Sequence, residues 1–528
     1  MAILNSVISW FIKKRIHQIE LFRKYPHEVQ ADLLLKLTGA GRDTEWGRIW
    51  GYEDIRSYED FAAQTPVNDY EGLKPYIDRI REGEQNILWN TEIKHFAKSS
   101  GTTGDKSKFI PVSFESLEEC HYKAGKDMLS IYCNNYPDTN LFEGKSLAMG
   151  GSHTFREVNN TQYLEGDLSA ILMQNLPFWA EIRRTPQLSI ALMDEWESKL
   201  EKMAEATSRD NVTSVAGVPS WTLLLMKRIL EVTGKSDICQ VWPNLEVFFH
   251  GGVSFTPYRK QFAQILPCSK VRYMETYNAS EGFFGIQDDP SEDSLLLMLD
   301  YGIFYEFVPA DELQNAARAA IPLWKVETGK NYAIVISTNG GLWRYMIGDT
   351  VMFTSLRPYK IRITGRTRHF INAFGEEVIS DNAERAFAVA CEKCQAVLLE
   401  YTGAPLFYQE GSGTHEWLVE FTTPPPSMEY FTEIFDNALK SINSDYEAKR
   451  YHNMILEMPV MRVVPQGTFY HWMKSRNKLG GQHKVPRLAN HRQYIEDILQ
   501  KISSFPAAAE SSPSSAAQPA FNKTDKTD

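Results

Sequence analysis

The first residues able to do chemistry together are Ser99-Ser100-Gly101-Thr102-Thr103-Gly104. Glycines let successive backbone N–H groups turn toward one anion, and the hydroxyls can add donors to phosphate oxygens. The spacing is not that of the G-x-x-x-x-G-K-[ST] loop, whose second glycine would fall at Lys106. By spacing alone, an ordinary Ser/Gly/Thr loop reads the same way, and Lys106 and Lys108 could be solvated surface charges. A second group, Tyr277-Asn278-Ala279-Ser280-Glu281-Gly282, follows a hydrophobic run. Its ring could stack on a base, its hydroxyl reach phosphate, and its carboxylate hold Mg²⁺, which prefers oxygen ligands.

Three further groups carry polar residues at suggestive places. His250-Gly251-Gly252 ends a hydrophobic run. It has the look of an esterase oxyanion hole, but the chain lacks a G-x-S-x-G elbow, so a hydrolase would have no nucleophile. In Trp343-Arg344-Tyr345-Met346-Ile347-Gly348-Asp349, the acid beside a glycine could grip the two hydroxyls of a ribose. A plain β-turn Asp fits those residues equally well. Gly365-Arg366 precedes HFINAFGEEV, and Lys484 stands in GGQHKVPR, where a point charge could reach a substrate or simply be exposed. Cys391 and Cys394 have C-x-x-C spacing inside an apparently helical stretch, with no second Cys or His pair nearby to complete a zinc site.

The elements that must position these groups read as a large α/β protein. A length of 528 residues allows two to four domains at roughly 150 residues each. With 43% hydrophobic and 23% charged residues the chain can bury a large core, which excludes wholesale disorder. A net charge of −11 offers no electrostatic case for a nucleic-acid partner. No stretch approaches the ~20 apolar residues of a membrane span. The start, MAILNSVISWFIKKRIHQIE, places its basic residues after the apolar run, unlike a secretory signal, and should be a helix packed on the body. Six scattered cysteines make no disulfide scaffold, and a reducing cytoplasm is the simplest compartment.

The first 90 residues show helical periodicity, as in Val29, Leu33, Leu34 and Leu37. IKHFAK then meets the hydroxyl-rich loop, and FIPVSFESLEECHYKAGKDML resumes as a strand end and a helix, with Ser113 or Ser116 as its cap. SVAGVPSWTLLLMKRIL reads as strand, turn and helix; LEVFFHGG and KVRYMETYNASEG read as buried strands entering polar loops. A β-rich series follows to YKIRITGR. Such strands suit an α/β sheet with its site at the strand ends. After about Arg366 a compact α+β module begins, in which MEYFTEIFDNALKSINSDYEAKRY is one long helix. Expected boundaries are 1–366 and 367–502, with 503–528 a Ser/Ala/Pro-rich disordered tail.

No single group decides a function, but their order does. SSGTTG, YNASEG, RYMIGD, GRTRHFINAFGEEV and GQHKVPR together resemble the Gretchen Hagen family of acyl-acid amido synthetases, within the adenylate-forming enzymes. The resemblance runs from about residue 90 to about 490. It implies a large N-terminal α/β domain binding ATP and an acid, and a small mobile α+β C-terminal domain. It also implies that Ser99, Ser100, Thr102 and Thr103, around Gly101, contact phosphate, and that Gly251 and Gly252 lie beside the nucleotide. Tyr277 would lie along adenine, and Ser280 and Glu281 near the phosphates and Mg²⁺. Asp349 would hold the ribose, Arg366 would mark the hinge, and Lys484 would be the catalytic lysine. Walls of the acid pocket are expected at 215–221 and from Met149 to His153. The pocket residues follow no plant pattern, so neither auxin nor jasmonate is inferred.

The expected reaction is attack of a carboxylate on the α-phosphate of ATP, release of pyrophosphate, and transfer of the acyl group to an amine, an amino acid. Two rivals are an acyl-CoA ligase sharing the first step and a nucleotide-binding regulatory protein without turnover. The acid, the acceptor and the oligomeric state are not readable from the residues.

Overall fold

The computed structural model describes residues 14–502 apart from 100–107, 253–254, 256–257, 311, 368–369, 377, 409–411, 454 and 477–484. The tail expected at 503–528 therefore lies outside the described residues, as does the first part of the N-terminal helix. From residue 14 to 24 that helix is present and buries Ile19 and Phe22. It is tied down by an ion pair between Arg15 and the buried Asp127, which also accepts the Tyr301 hydroxyl at 2.9 Å.

The helical start is built from short amphipathic helices, each with a side-chain cap where the chain turns. Ser57 caps Tyr58–Gln64 and Asp69 caps Tyr70–Arg81, each accepting an N–H three residues on. Their apolar faces, including Phe61, Leu73 and Ile77, pack onto a long mixed sheet.

Twelve strands of the described residues form that sheet. At one end, Arg184–Thr185, Lys145–Ala148, Val212–Gly217, Val247–Gly251 and Arg272–Ala279 lie side by side and parallel. The remaining strands, from Gly282–Ile286 outward, pair antiparallel. Continuous apolar text such as Val247-Phe248-Phe249 is fully covered here, as parallel strands flanked by helices require. The helix Pro219–Thr233 opens with proline in its first turn and stops at Gly234 in the left-handed region. A second sheet of four strands, in the order Lys108–Val112, His95–Ser99, Thr161–Gly166, His153–Val158, lies beside it.

The strand end expected after the hydroxyl-rich loop is Lys108–Val112, which pairs antiparallel with His95–Ser99, so the loop connects the two strands of a hairpin. Ser113 then accepts the Ser116 N–H, and a π-helical stretch Ser116–Tyr122 runs into the helix Lys123–Asn135. The long C-terminal helix is two, Met428–Ile442 and Ser444–Arg450, because Asn443 leaves helical geometry and its side chain caps the second.

The C-terminal module is otherwise α+β: Ser380–Cys394, the antiparallel pair Val397–Phe407 and Gly413–Thr423, and Val460–Val463 parallel to the latter. Its core is continuous with that of the parallel strands, Phe374 and Phe387 belonging to one cluster with Phe248 and Phe262. Cys391 and Cys394 are free thiols. Cys239 and Cys268, which nothing in their spacing paired, form a disulfide that joins the short helix Ile238–Val241 to the loop after Arg259–Ile265. Among the described residues no helix is long and apolar enough to cross a membrane.

Candidate active site

The carboxyl ends of the parallel strands open into one cleft of about 2400 Å³, with residues of the C-terminal module on its far wall. In open α/β sheets ligands sit at this edge, where the strands give way to loops. A typical single-ligand pocket is roughly 300–1,000 Å³, so the cleft has room for a nucleotide and a second substrate.

Of the residues expected at the site, Ser99, Gly251, Gly252, Tyr277, Ser280, Glu281 and Asp349 all line this cleft. Ser100, Gly101, Thr102, Thr103 and Lys484 lie outside the described residues. The stems of the hydroxyl-rich loop, Lys98, Ser99 and Lys108, face the cleft. Arg366 is the strand partner of Asp349 in an antiparallel pair, which places the two backbones opposite each other.

Tyr277 and Asp349 meet directly: the phenol donates to Asp349 Oδ2 at 2.7 Å, across 72 residues of chain. Asp349 is not a turn residue. It belongs to the strand Tyr345–Leu356, just after Gly348, whose φ of +100° excludes ordinary side chains. Ser280 and Glu281 form the two-residue turn between Arg272–Ala279 and Gly282–Ile286. Glu281 Oε1 accepts the Tyr345 hydroxyl at 3.4 Å, and Lys108 Nζ donates to the same hydroxyl oxygen at 3.4 Å. Burial, with the Glu281 charge adding to it, holds the Tyr345 phenol well above its ordinary range, so it stays a donor to the carboxylate.

The kink that aims Tyr345 is set one residue earlier. Arg344 has φ of +43°, a conformation that costs roughly 1–3 kcal/mol in a non-glycine residue. Its guanidinium makes a bidentate pair with Glu306 at 2.7 and 2.9 Å and donates to the carbonyls of Ala62 and Thr65. The helical start of the chain is thereby fastened to the strand that carries Tyr345 and Asp349.

The glycine of His250-Gly251 is explained by packing. A Cβ at Gly251 would lie 2.4 Å from the Thr276 carbonyl, so only glycine lets the two strands approach. His250 stacks on Phe255 with ring centroids 4.2 Å apart, and burial pushes its imidazole down to about 3. It is a neutral, nearly buried side chain on the cleft wall.

Both expected acid walls contribute: Ala216, Gly217, Val218 and Trp221 from one, Met149 to Ser152 from the other, while His153 is not on the wall. Motif reading missed two parts of the lining. One is the buried Lys199 with the half-buried Asp167, charges of opposite sign on the same wall, where burial pushes the lysine down and the carboxyl up. The other is the inner face of the Ser116–Asn135 helical run, with His121, Gly125, Met128 and Leu129 on the cleft. Its only sequence signal was helical spacing, which does not say which face meets a cavity.

Comparison with known proteins covers most of the chain. Sequence profiles described as the GH3 family N-terminal, central and C-terminal domains match residues 15–271, 296–366 and 381–493. Indole-3-acetic acid-amido synthetase GH3.3 of Arabidopsis thaliana is 25% identical over 93% of this chain and 94% of its own length. Jasmonoyl–L-amino acid synthetase JAR6 of Nicotiana attenuata is 23% identical over 93% of this chain and 96% of its own. The solved structure of the acyl acid amido synthetase AtGH3.15 superposes with a TM-score of 0.60 at 17% identity, covering 93% and 96% of the two chains. A 2-hydroxyisobutyryl-CoA ligase superposes at 0.56 with 13% identity, covering 91% and 93%. These structures share its fold, a large N-terminal domain with a separate C-terminal one, and the three profiles place the chain in the GH3 family.

Proposed function

We propose that this chain is an acyl-acid amido synthetase: it joins a carboxylic acid to AMP from ATP, releasing pyrophosphate, and transfers the acyl group to an amino acid. The observation that carries this reading is the contact of Tyr277 with Asp349 on the wall of a cleft that also holds Ser99, Ser280 and Glu281. Curated relatives named as amido synthetases, matched over nearly their full lengths, support an amine rather than a thiol as acceptor.

A carboxylate is a poor electrophile, because attack by an amine would have to expel an oxide. Making that oxygen part of AMP turns it into a good leaving group. The chain's task is then to hold the carboxylate in line with the α-phosphate and to offset charge there. Asp349, oriented by Tyr277, would accept the ribose hydroxyls. Ser99, with the Ser100–Thr103 loop, would donate to phosphate oxygens. Magnesium keeps several waters and needs only one or two protein carboxylates beside phosphate oxygens. Glu281, on a cleft-facing turn, fits that need; among the described residues no three His, Cys, Asp or Glu side chains form a complete metal cage. The ion would supply charge neutralisation on the phosphates. Lys484 would approach from the C-terminal module, swinging about a hinge at Arg366, and stabilise the transition state.

The test is acid-dependent ATP–pyrophosphate exchange across a panel of carboxylic acids, followed by acceptors with the best acid. Lys484→Ala should lower exchange by about 10²–10³-fold, the cost of one well-placed donor in a dry site. Wild-type exchange in that variant removes Lys484 from the chemistry. Release of AMP that requires coenzyme A, and no amine, overturns the amide-forming assignment. ATP binding without any acid-dependent exchange overturns the enzyme reading altogether.

A further inference from the structure

The disulfide between Cys239 and Cys268 joins residues 29 apart in the chain and closes a loop around one wall of the cleft. Inside that loop lie the strand Val247–Gly251 and the helix Arg259–Ile265. Phe249, His250, Gly251, Gly252, Phe255 and Arg259, all within it, line the cleft. His250 stacks on Phe255, and the Arg259 guanidinium stands 5.7 Å from the centre of the same ring. The Tyr258 hydroxyl donates to the Phe374 carbonyl at 3.1 Å, so the loop also touches the C-terminal module. The bracketed segment is thus a joint between the strand ends assigned to nucleotide and the module across the cleft.

Packing holds the foot of this loop as well. Ile238, Trp242 and Leu266, beside the two cysteines, are buried in one apolar cluster. Covalent closure of a long loop removes conformations from the opened chain, so the bridged segment is stiffer than packing alone would make it. Cutting the bridge leaves the apolar cluster in place and frees the ends. The expected response is a looser wall, not an unfolded protein.

The six cysteines of the chain are not equivalent. Cys239 and Cys268 are half-buried, within reach of a reductant in solvent. The other four are free thiols, and burial pushes all of them up, Cys120 and Cys133 to about 12. The thiolate is the reactive form, so these four are slow partners in thiol–disulfide exchange. Oxidation and reduction are thereby confined to the pair at the wall.

We propose that Cys239 and Cys268 are a reversible redox site: bridged, they hold the cleft wall in its binding shape; reduced, they let it loosen, and nucleotide binds more weakly. A dithiol reductant supplies the electrons. One of its thiolates attacks one protein sulfur, forming a mixed disulfide and releasing the other protein sulfur as a thiolate that takes up a proton. Its second thiolate then displaces the remaining protein sulfur, which is protonated in turn. The protein gains two electrons and two protons, the reductant leaves as its own disulfide, and the reverse sequence closes the bridge. The effect on nucleotide rests on the adenylation reading; the bridge and the loosening do not.

The experiment prepares the full chain in two forms, one equilibrated with oxidised glutathione and one with dithiothreitol, and alkylates each under denaturing conditions with N-ethylmaleimide. Intact mass should show four alkylated cysteines in the first form and six in the second, with peptide mapping assigning the difference to Cys239 and Cys268. Amide hydrogen exchange should quicken on reduction in residues 247–252 and 258–266, and stay unchanged in 345–356, outside the loop. By calorimetry ATP should bind the reduced form about 3–10-fold more weakly, because binding must then supply the ordering that the bridge provided. Cys239→Ser with Cys268→Ser should behave as the reduced parent and ignore both reagents, whereas Cys391→Ser with Cys394→Ser should keep the full response. Six alkylated cysteines in the oxidised form overturn the proposal. So does a bridge whose reduction alters neither exchange nor ATP affinity, or a response that survives in the Cys239/Cys268 double variant. A redox-dependent exchange pattern with no ATP binding in either form supports the redox-sensitive wall while removing the nucleotide reading.

Discussion

Removing one oxygen from Tyr277 tests the contact on which the nucleotide assignment stands. In Tyr277→Phe the ring keeps its packing against Phe284, 4.8 Å between centroids, while the phenol that donates to Asp349 Oδ2 at 2.7 Å is lost. Both residues are nearly buried, at 5% and 6% exposure, so solvent screens the interaction little. A hydrogen bond to a charged group is worth about 1.5–3 kcal/mol. If that orientation energy is expressed in ribose binding, the KM for ATP rises about 10- to 100-fold, at 1.4 kcal/mol per factor of ten. The KM for the acid should change far less, because the acid does not touch this pair. Pyrophosphate exchange gives both constants, and urea unfolding gives the stability change. A double-mutant cycle with Asp349→Asn should return a coupling of at least about 1 kcal/mol, since residues in direct contact are not additive. A cycle that closes within ~0.3 kcal/mol, with the KM for ATP unchanged, would refute the claim that Tyr277 positions Asp349 for nucleotide.

Other outcomes follow from the same geometry. Glu306→Gln leaves the guanidinium of the 2% exposed Arg344 without its carboxylate, and should cost about 3–5 kcal/mol in denaturant unfolding, as broken buried pairs do. Gly251→Ala drives a Cβ to 2.4 Å from the Thr276 carbonyl, so it should lower the melting temperature measurably, whereas Gly125→Ala should not. Stability should fall on acidification: His250 and His121 are pushed down in the folded state to about 3 and 4, so below the unfolded value of roughly 6.5 the unfolded chain binds more protons. Each contributes a loss of about 2 kcal/mol by pH 5, and His121→Asn should flatten the slope of unfolding free energy between pH 6.5 and 4.

Much of the local structure was legible in residue order. Apolar runs such as Val247-Phe248-Phe249 announced fully buried strands, because a strand covered on both faces has no solvent side to alternate with. The order strand, turn and helix was readable in SVAGVPSWTLLLMKRIL, and the structure starts that helix at Pro219, where proline suits the first turn. The helix boundary at Asn443 was missed because apolar periodicity continues across it, and only the capping geometry shows the break. A turn at Asp349 stayed open beside the ribose reading because Gly348 looks like a turn former, whereas the strand simply passes through a positive-φ glycine.

What the residues determined by themselves was the ordered set of phosphate-, ribose- and metal-competent groups, and hence the family, since those depend on side-chain types and local spacing. Tertiary structure alone decided which of them touch. Tyr277 reaches Asp349 because their strands lie in one sheet, and Arg344 fastens a helix near residue 62 to the strand that presents Tyr345. It also decided that His121 faces a cavity, and that Cys239 meets Cys268. Periodicity reports which face of an element is apolar, but strand order and register, set by packing over the whole chain, choose the neighbour each face receives.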